Sequence, residues 1–246
     1  DHDILNGVKK MIIDIKNRVE AAPAVDWLAD WVRDTRDPVA MQVLEDLVKQ
    51  TQYVSRVEAI RALGSLKIRK SISQIEEPLV NGDEELRAVS AKALSEMATK
   101  GDEKRFDRYL RKEKSKRVRE ILLKGVTKIG TMEALPTLRF WLIKRDTPAS
   151  SKLIILEGIS RVKVNTKTLE QHLSTSMNDN DDQVRLKAWI MLFEAKSKKM
   201  NARRLKGAAR WMETKHIDVL SQNKKIPSDL FISLALNADD DKVRFA

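Results

Sequence analysis

Residues Val118 to Leu142 read VREILLKGVTKIGTMEALPTLRFWL. Val118, Ile121, Leu122, Gly125, Val126 and Ile129 recur at spacings of three and four, which draws one wide apolar stripe along a helix. Gly130 breaks that helix. MEALPTLRFWL then opens a second one, with Leu135, Leu138 and Leu142 on its inward face. Neither helix can bury its stripe alone, so the pair reads as a helix hairpin that must stack on neighbours.

The same unit recurs along the chain. SRVEAIRALGSL starts at Ser55, EELRAVSAKAL at Glu84, SSKLIILEGISRV at Ser150 and DDQVRLKAW at Asp181. Aligned on Val118, the equivalent residues are Val57, Leu86, Ser151, Val184 and Val243. The period is roughly 30 residues, the spacing of solenoid repeats. The step from Val184 to Val243 covers about two such units, so one copy near residues 201 to 237 is irregular. Second helices end at Leu79, Leu110 and Leu173, and AVDWLADWV with VAMQVLEDLV supplies one more pair, Pro38 standing at a helix start. The C-terminal DDDKVRFA repeats the opening of a first helix, so residues 1–246 are expected to form a single solenoid that is a segment of a longer array.

Composition agrees with helix. Eight Gly and six Pro in 246 residues leave few turn residues for a β-rich fold, while 34% of the chain is charged and 42% hydrophobic. The absence of cysteine excludes disulfides, thiolate catalysis and thiolate metal sites. No apolar run approaches the roughly 18 residues of a membrane span. DHDILNGVKK at the N-terminus has no basic segment followed by an apolar one, and a soluble, intracellular protein is expected.

The Val-Arg opening of the first helix, its Gly-ended stripe and the Ala-Leu-Pro opening of the second resemble the HEAT-like repeats of the armadillo/HEAT superfamily. The resemblance covers about residues 23 to 195 unit by unit. It implies an all-α fold, an α-solenoid of stacked antiparallel helix hairpins, and is nearly silent about activity, because such arrays serve as scaffolds, transport factors, nucleic-acid binders and a few enzymes. Ser151 in place of Val, and the stretch ETKHIDVLSQNKKIPSDL, depart from the pattern.

Catalytic constellations are scarce. His2, His172 and His216 form no helical pair at i and i+4, and no phosphate-binding loop or dinucleotide turn is present. His172 reads as a partly buried helix residue. DNDDQVRLKAWI, from Asp179, lacks the Gly and the bidentate Glu of a calcium loop, so its acids read as helix caps, as do Asp83 and Asp239 to Asp241. Trp27, Trp31 and Trp189 sit among apolar positions and are expected in the core, whereas Trp141 and Trp211 are flanked by cations and are expected in the core or at its rim. No cofactor and no metal site are implied.

Charge carries the functional signal. The formal net charge is +11, and KRFDRYLRKEKSKRVR, Lys104 to Arg119, holds nine basic residues against two acids. If second helices line the concave face, as is common in such arrays, Arg105, Arg108, Arg111, Lys112, Arg139, Lys144, Arg145, Arg203, Arg204 and Arg210 form one continuous basic stripe. A solvated surface is the plain alternative. The functional expectation is a non-catalytic binding scaffold that mediates protein–protein interaction with an acidic segment of another protein. Nucleic-acid binding through backbone phosphates by the same stripe is the alternative. A HEAT-like enzyme such as a lyase or DNA glycosylase is a third reading, placed last for want of a buried carboxylate flanked by tryptophans.

Overall fold

A computed structural model describes residues 2–14, 18–50 and 53–195. They form twelve α-helices: α1 His2–Asp14, α2 Arg18–Thr35, α3 Pro38–Val48, α4 Tyr53–Ser65, α5 Ile72–Asn81, α6 Glu84–Met97, α7 Glu103–Lys112, α8 Lys116–Ile129, α9 Leu135–Ile143, α10 Ala149–Arg161, α11 Thr166–Leu173 and α12 Asp182–Glu194. Among the described residues there is no strand. The irregular copy at residues 201 to 237 and the terminal DDDKVRFA lie outside the described residues.

Helix boundaries follow local chemistry. Asp37 caps α3 by accepting from the amides of Val39 and Ala40, with Pro38 in the first turn. Asp83 accepts from Leu86 N at 2.9 Å, and Asp181 accepts from Gln183 N and Val184 N. The caps at Asp83 and Asp181 are those read from the sequence, Asp37 adds a third, and all satisfy amides that no helix turn can reach. Gly130 adopts φ 65°, the left-handed conformation that stops a helix without a Cβ penalty.

The chain forms two compact units, residues 1–129 and 130–246. In the first unit, α2, α4, α6 and α8 form one closely packed row. The other row holds α1, α3, α5 and α7, and from α3 onward its members touch their row neighbours only lightly. Each second helix instead rests on the first helix that follows it, α3 on α4, α5 on α6 and α7 on α8. In the first unit α7 and its cations stand in the open, outer row. In the second unit α10 and α12 are likewise the close pair.

Small residues make the tight row. Seven positions after the repeat's Val or Leu stand Gly64, Ala93 and Gly125. A Cβ on Gly64 would lie 2.7 Å from the Cα of Ala93, so α4 and α6 approach to backbone contact there. A Cβ on Gly125 would run into the Phe106 ring and the Ser95 hydroxyl. Leu63, Leu94 and Leu122 in the first unit, and Leu138, Leu142, Leu156 and Leu192 in the second, are buried as the stripe requires, whereas Ile129, expected with them, is half-buried at its helix end. Burying one such side chain contributes roughly 1.5–3 kcal/mol.

A polar ladder runs beside the apolar one. Arg87 of α6 donates from Nε and Nη2 to Glu113 at 2.9 and 3.2 Å. Glu113, in the turn before α8, accepts from Ser115 N at 2.7 Å, and its carbonyl accepts from Arg119 at 3.2 Å. Two repeats later, Lys152 of α10 donates to Asp179 at 2.6 Å, Asp179 accepts from Asp181 N, and its carbonyl accepts from Arg185 at 2.7 Å. In these two repeats the cation after the aligned position, Leu86 or Ser151, ties its helix to the turn before the next first helix. Burial pushes the Glu113 carboxyl up, but the Arg87 hydrogen bond, the Ser115 amide and the Arg87 charge outweigh it and hold it below the ordinary carboxylate range.

Candidate functional site

The outer face of α7 is cationic because its inner face is spoken for. Phe106 and Leu110 are buried, with Glu103 one turn ahead of Phe106. Lys104, Arg108, Arg111 and Lys112 then fall at i, i+4, i+7 and i+8, within one sector of the helix, and all four are exposed. Arg111 pairs with Asp107 at 2.7 Å. Among the described residues Lys104, Arg108 and Lys112 enter no ion pair, although the Arg108 guanidinium lies 5.8 Å from the Tyr109 ring centroid. The exposed cations Lys114, Lys116 and Arg117 continue the run past the helix, Arg117 reaching Glu85 at 3.0 Å.

Arg105 has a different position. It is half-buried and joins Glu76 of α5 at 2.8 Å and Asp102 at 2.5 Å. Asp102 also takes Arg69 at 2.8 Å and the Thr99 amide at 3.0 Å. Burial raises the Asp102 carboxyl, yet Arg69, the Thr99 amide and Arg105 together hold it below its ordinary value. Burial and the hydrogen bond to Glu76 push the neighbouring Tyr109 hydroxyl up to about 12. Arg105 is thus built into a network that ties α5 to α7 rather than offered to a partner.

The stripe is narrower than expected in the first unit. The row neighbours of α7 on the outer side, α5 (ISQIEEPLVN) and α3 (PVAMQVLEDLV), contain no Lys or Arg. Exposed Lys67, Arg69 and Lys70 stand in the turn ahead of α5, so between α3 and α7 the helical part of the cationic face is α7. In the second unit Arg139 and Arg145 are exposed on and just after α9, and Lys144 sits 4.6 Å from the centroid of the buried Trp141 ring and 3.5 Å from Asp146. Arg203, Arg204 and Arg210 lie outside the described residues.

The tryptophans divide. Trp189 is buried and Trp141 is 3% exposed, both in keeping with core packing. Trp27 is 44% exposed, with its edge against half-buried Trp31 at a centroid distance of 5.2 Å, so its assignment to the core is corrected. Helical periodicity placed it at the border of the stripe, where a large ring overhangs it. Trp211 lies outside the described residues. His172 is half-buried on α11, as read from the sequence, and burial together with Arg139 lowers its pKa. Among the described residues no group of acids and histidines is placed to hold a metal ion, and no helix is long and apolar enough to cross a membrane.

Two clefts occupy the same place in the repeat, one in each unit. The first, of about 250 Å³, has Leu79 and Val80 from the end of α5 beside the Arg87–Glu113 pair. The second, of about 430 Å³, has Leu142 and Ile143 from the end of α9 beside the Lys152–Asp179 pair. A third cleft, of about 240 Å³, lies along the tight row between α2, α4 and α6, lined by Asp26, Glu58 and Glu96 together with Arg61 and Lys92. The paired clefts were missed in the sequence reading, although their signal was there: an aliphatic Leu-Val or Leu-Ile pair closing a second helix.

No protein-family model and no curated protein matches the chain. A crystal structure of an archaeal HEAT-like repeats protein from Thermococcus onnurineus NA1 matches it with a TM-score of 0.53 at 9% identity, over 98% of this chain and 97% of that one. The fold is therefore an all-α array of stacked helix pairs, like that of HEAT-like repeats.

Proposed function

We propose that the chain is a non-catalytic scaffold that holds an acidic segment of another protein on the outer face of α7 and the turn after it. The observation that carries this reading is the sector of Lys104, Arg108, Arg111 and Lys112, prolonged by Lys114 and Lys116. Its width supports a protein partner over a duplex. A phosphate backbone is best matched by basic surface aligned over several repeats, and α3 and α5 supply none.

The test compares the parent with an Arg108→Ala, Arg111→Ala, Lys112→Ala variant against a Glu-rich peptide and duplex DNA at two salt concentrations. Three exposed charge contacts at about 0.5 kcal/mol each amount to about 1.5 kcal/mol, or roughly tenfold in affinity for the acidic peptide. Equal binding of that peptide by parent and variant refutes the assignment. If the parent binds DNA instead, and the variant's slope of log affinity against log salt falls by about 3, the surface is a nucleic-acid site.

A further inference from the structure

We infer that the cleft beside α7 is a receptor for an apolar anchor residue of the acidic partner, so that the segment recognised is an aliphatic or aromatic side chain flanked by carboxylates. This rests on the reading of α7 given above. The cleft's base is apolar, with Leu79 and Leu122 buried, while Val80 at the end of α5 is 57% exposed and presents its methyl groups at the mouth. An apolar side chain seated there would cover Val80 above the buried leucines and remove apolar surface from water.

Charge selects the occupant. Glu113, on the cleft wall, is already neutralised by Arg87, so it neither repels an acid nor attracts a cation. Lys112 and Lys114 are both exposed at the cleft, and among the described residues neither enters an ion pair. The net field at the mouth is therefore positive around an apolar base. A phosphate backbone has no group to fill that base, and a second copy of this chain, at net charge +11, would bring like charges together. An acidic peptide with one apolar side chain satisfies both features, with the anchor buried at the centre and the charges at the rim.

The repeat supplies an independent observation. In the second unit the equivalent cleft sets buried Leu142 and exposed Ile143 beside Lys152–Asp179, with exposed Arg145 also lining it. The elements of the first cleft recur: a buried leucine, an exposed β-branched residue one position on, a neutralised ion pair and an exposed cation. The second helices α3, α7 and α11 end differently, on Val48–Lys49, Leu110–Arg111 and Leu173–Ser174, and none offers the exposed aliphatic. The second cleft shares these elements, but the rest of its lining, with Thr175, Ser176, Asn178 and Asn180, is polar.

Two synthetic peptides test this, both Glu-rich and of equal charge, one with a central Phe and the other with Ser in its place. The parent is expected to bind the Phe peptide at least tenfold more tightly. The Val80→Gln, Ile143→Gln variant, altered only at exposed positions and checked for unchanged helicity, should lose most of that preference. It should still bind the Ser peptide as the parent does. Equal binding of the two peptides by the parent overturns the anchor while leaving the α7 reading intact, and a preference that survives the double substitution overturns it as well. If the parent binds neither peptide, the α7 reading fails too.

Discussion

Exchanging Gly for Ala at two helical positions should move stability in opposite directions. Gly7, on α1, has nothing within 4 Å of where a Cβ would stand, so Gly7→Ala should stabilise by about 0.5–1 kcal/mol through reduced backbone freedom of the unfolded chain. Gly64→Ala gains the same propensity, but its Cβ would stand 2.7 Å from the Cα of Ala93. That neighbour is backbone and cannot rotate aside, so α4 and α6 must separate by several tenths of an ångström along a tight contact. Overpacking of this kind costs about 1–3 kcal/mol, and less the propensity gain the net loss centres on about 1 kcal/mol. Urea unfolding followed by circular dichroism reads both variants on one scale. At about 2–4 °C per kcal/mol for a chain of this size, melting should separate them by several degrees. A Gly64→Ala variant as stable as Gly7→Ala would show that the two helices are not in backbone contact, and the account of the tight row would fall.

Leu138 on α9 is fully buried, so Leu138→Ala should cost about 2–5 kcal/mol, and a loss below about 0.5 kcal/mol in a denaturant titration would count against the inward face assigned to that helix. Burial and Arg139 depress the pKa of His172 in the folded state, so as pH falls the unfolded chain takes up the proton first. Stability from the neutral imidazole is present above about pH 6.5 and declines as pH drops below it. The urea midpoint of the parent should fall between pH 7 and 5 more steeply than that of His172→Gln.

The repeat was legible because its apolar positions recur in helical phase, and Leu86, Val118, Ser151 and Val184 each stand third in a first helix, with Val57 two residues further into α4. The caps at Asp83 and Asp181 were legible for the same local reason, since an acid three residues ahead of the stripe's first member has one set of amides to meet. Which row packs tightly was not legible. That depends on how closely Gly64 approaches Ala93 across about 30 residues of sequence, and a pattern of apolar residues looks the same in either row. Arg105 shows a second limit. In the sequence it is one cation among nine, and only the fold brings Glu76 and Asp102 to it. Trp27 shows a third, since a position at the stripe's border can turn a large ring either way.

The unequal spacing of the two rows in the first unit has a mechanical consequence. A body hinged along a line of close backbone contacts flexes by opening its far side, where little resists. The glycine and alanine column acts as a spine, and α3, α5 and α7 behave like ribs that can spread or draw together about it. The Arg69–Asp102–Arg105–Glu76 chain spans the gap between the α5 and α7 ribs, as a spring would. A guest of the kind proposed, lodged among these outer elements, would therefore do more than adhere: it would fix how far the ribs spread.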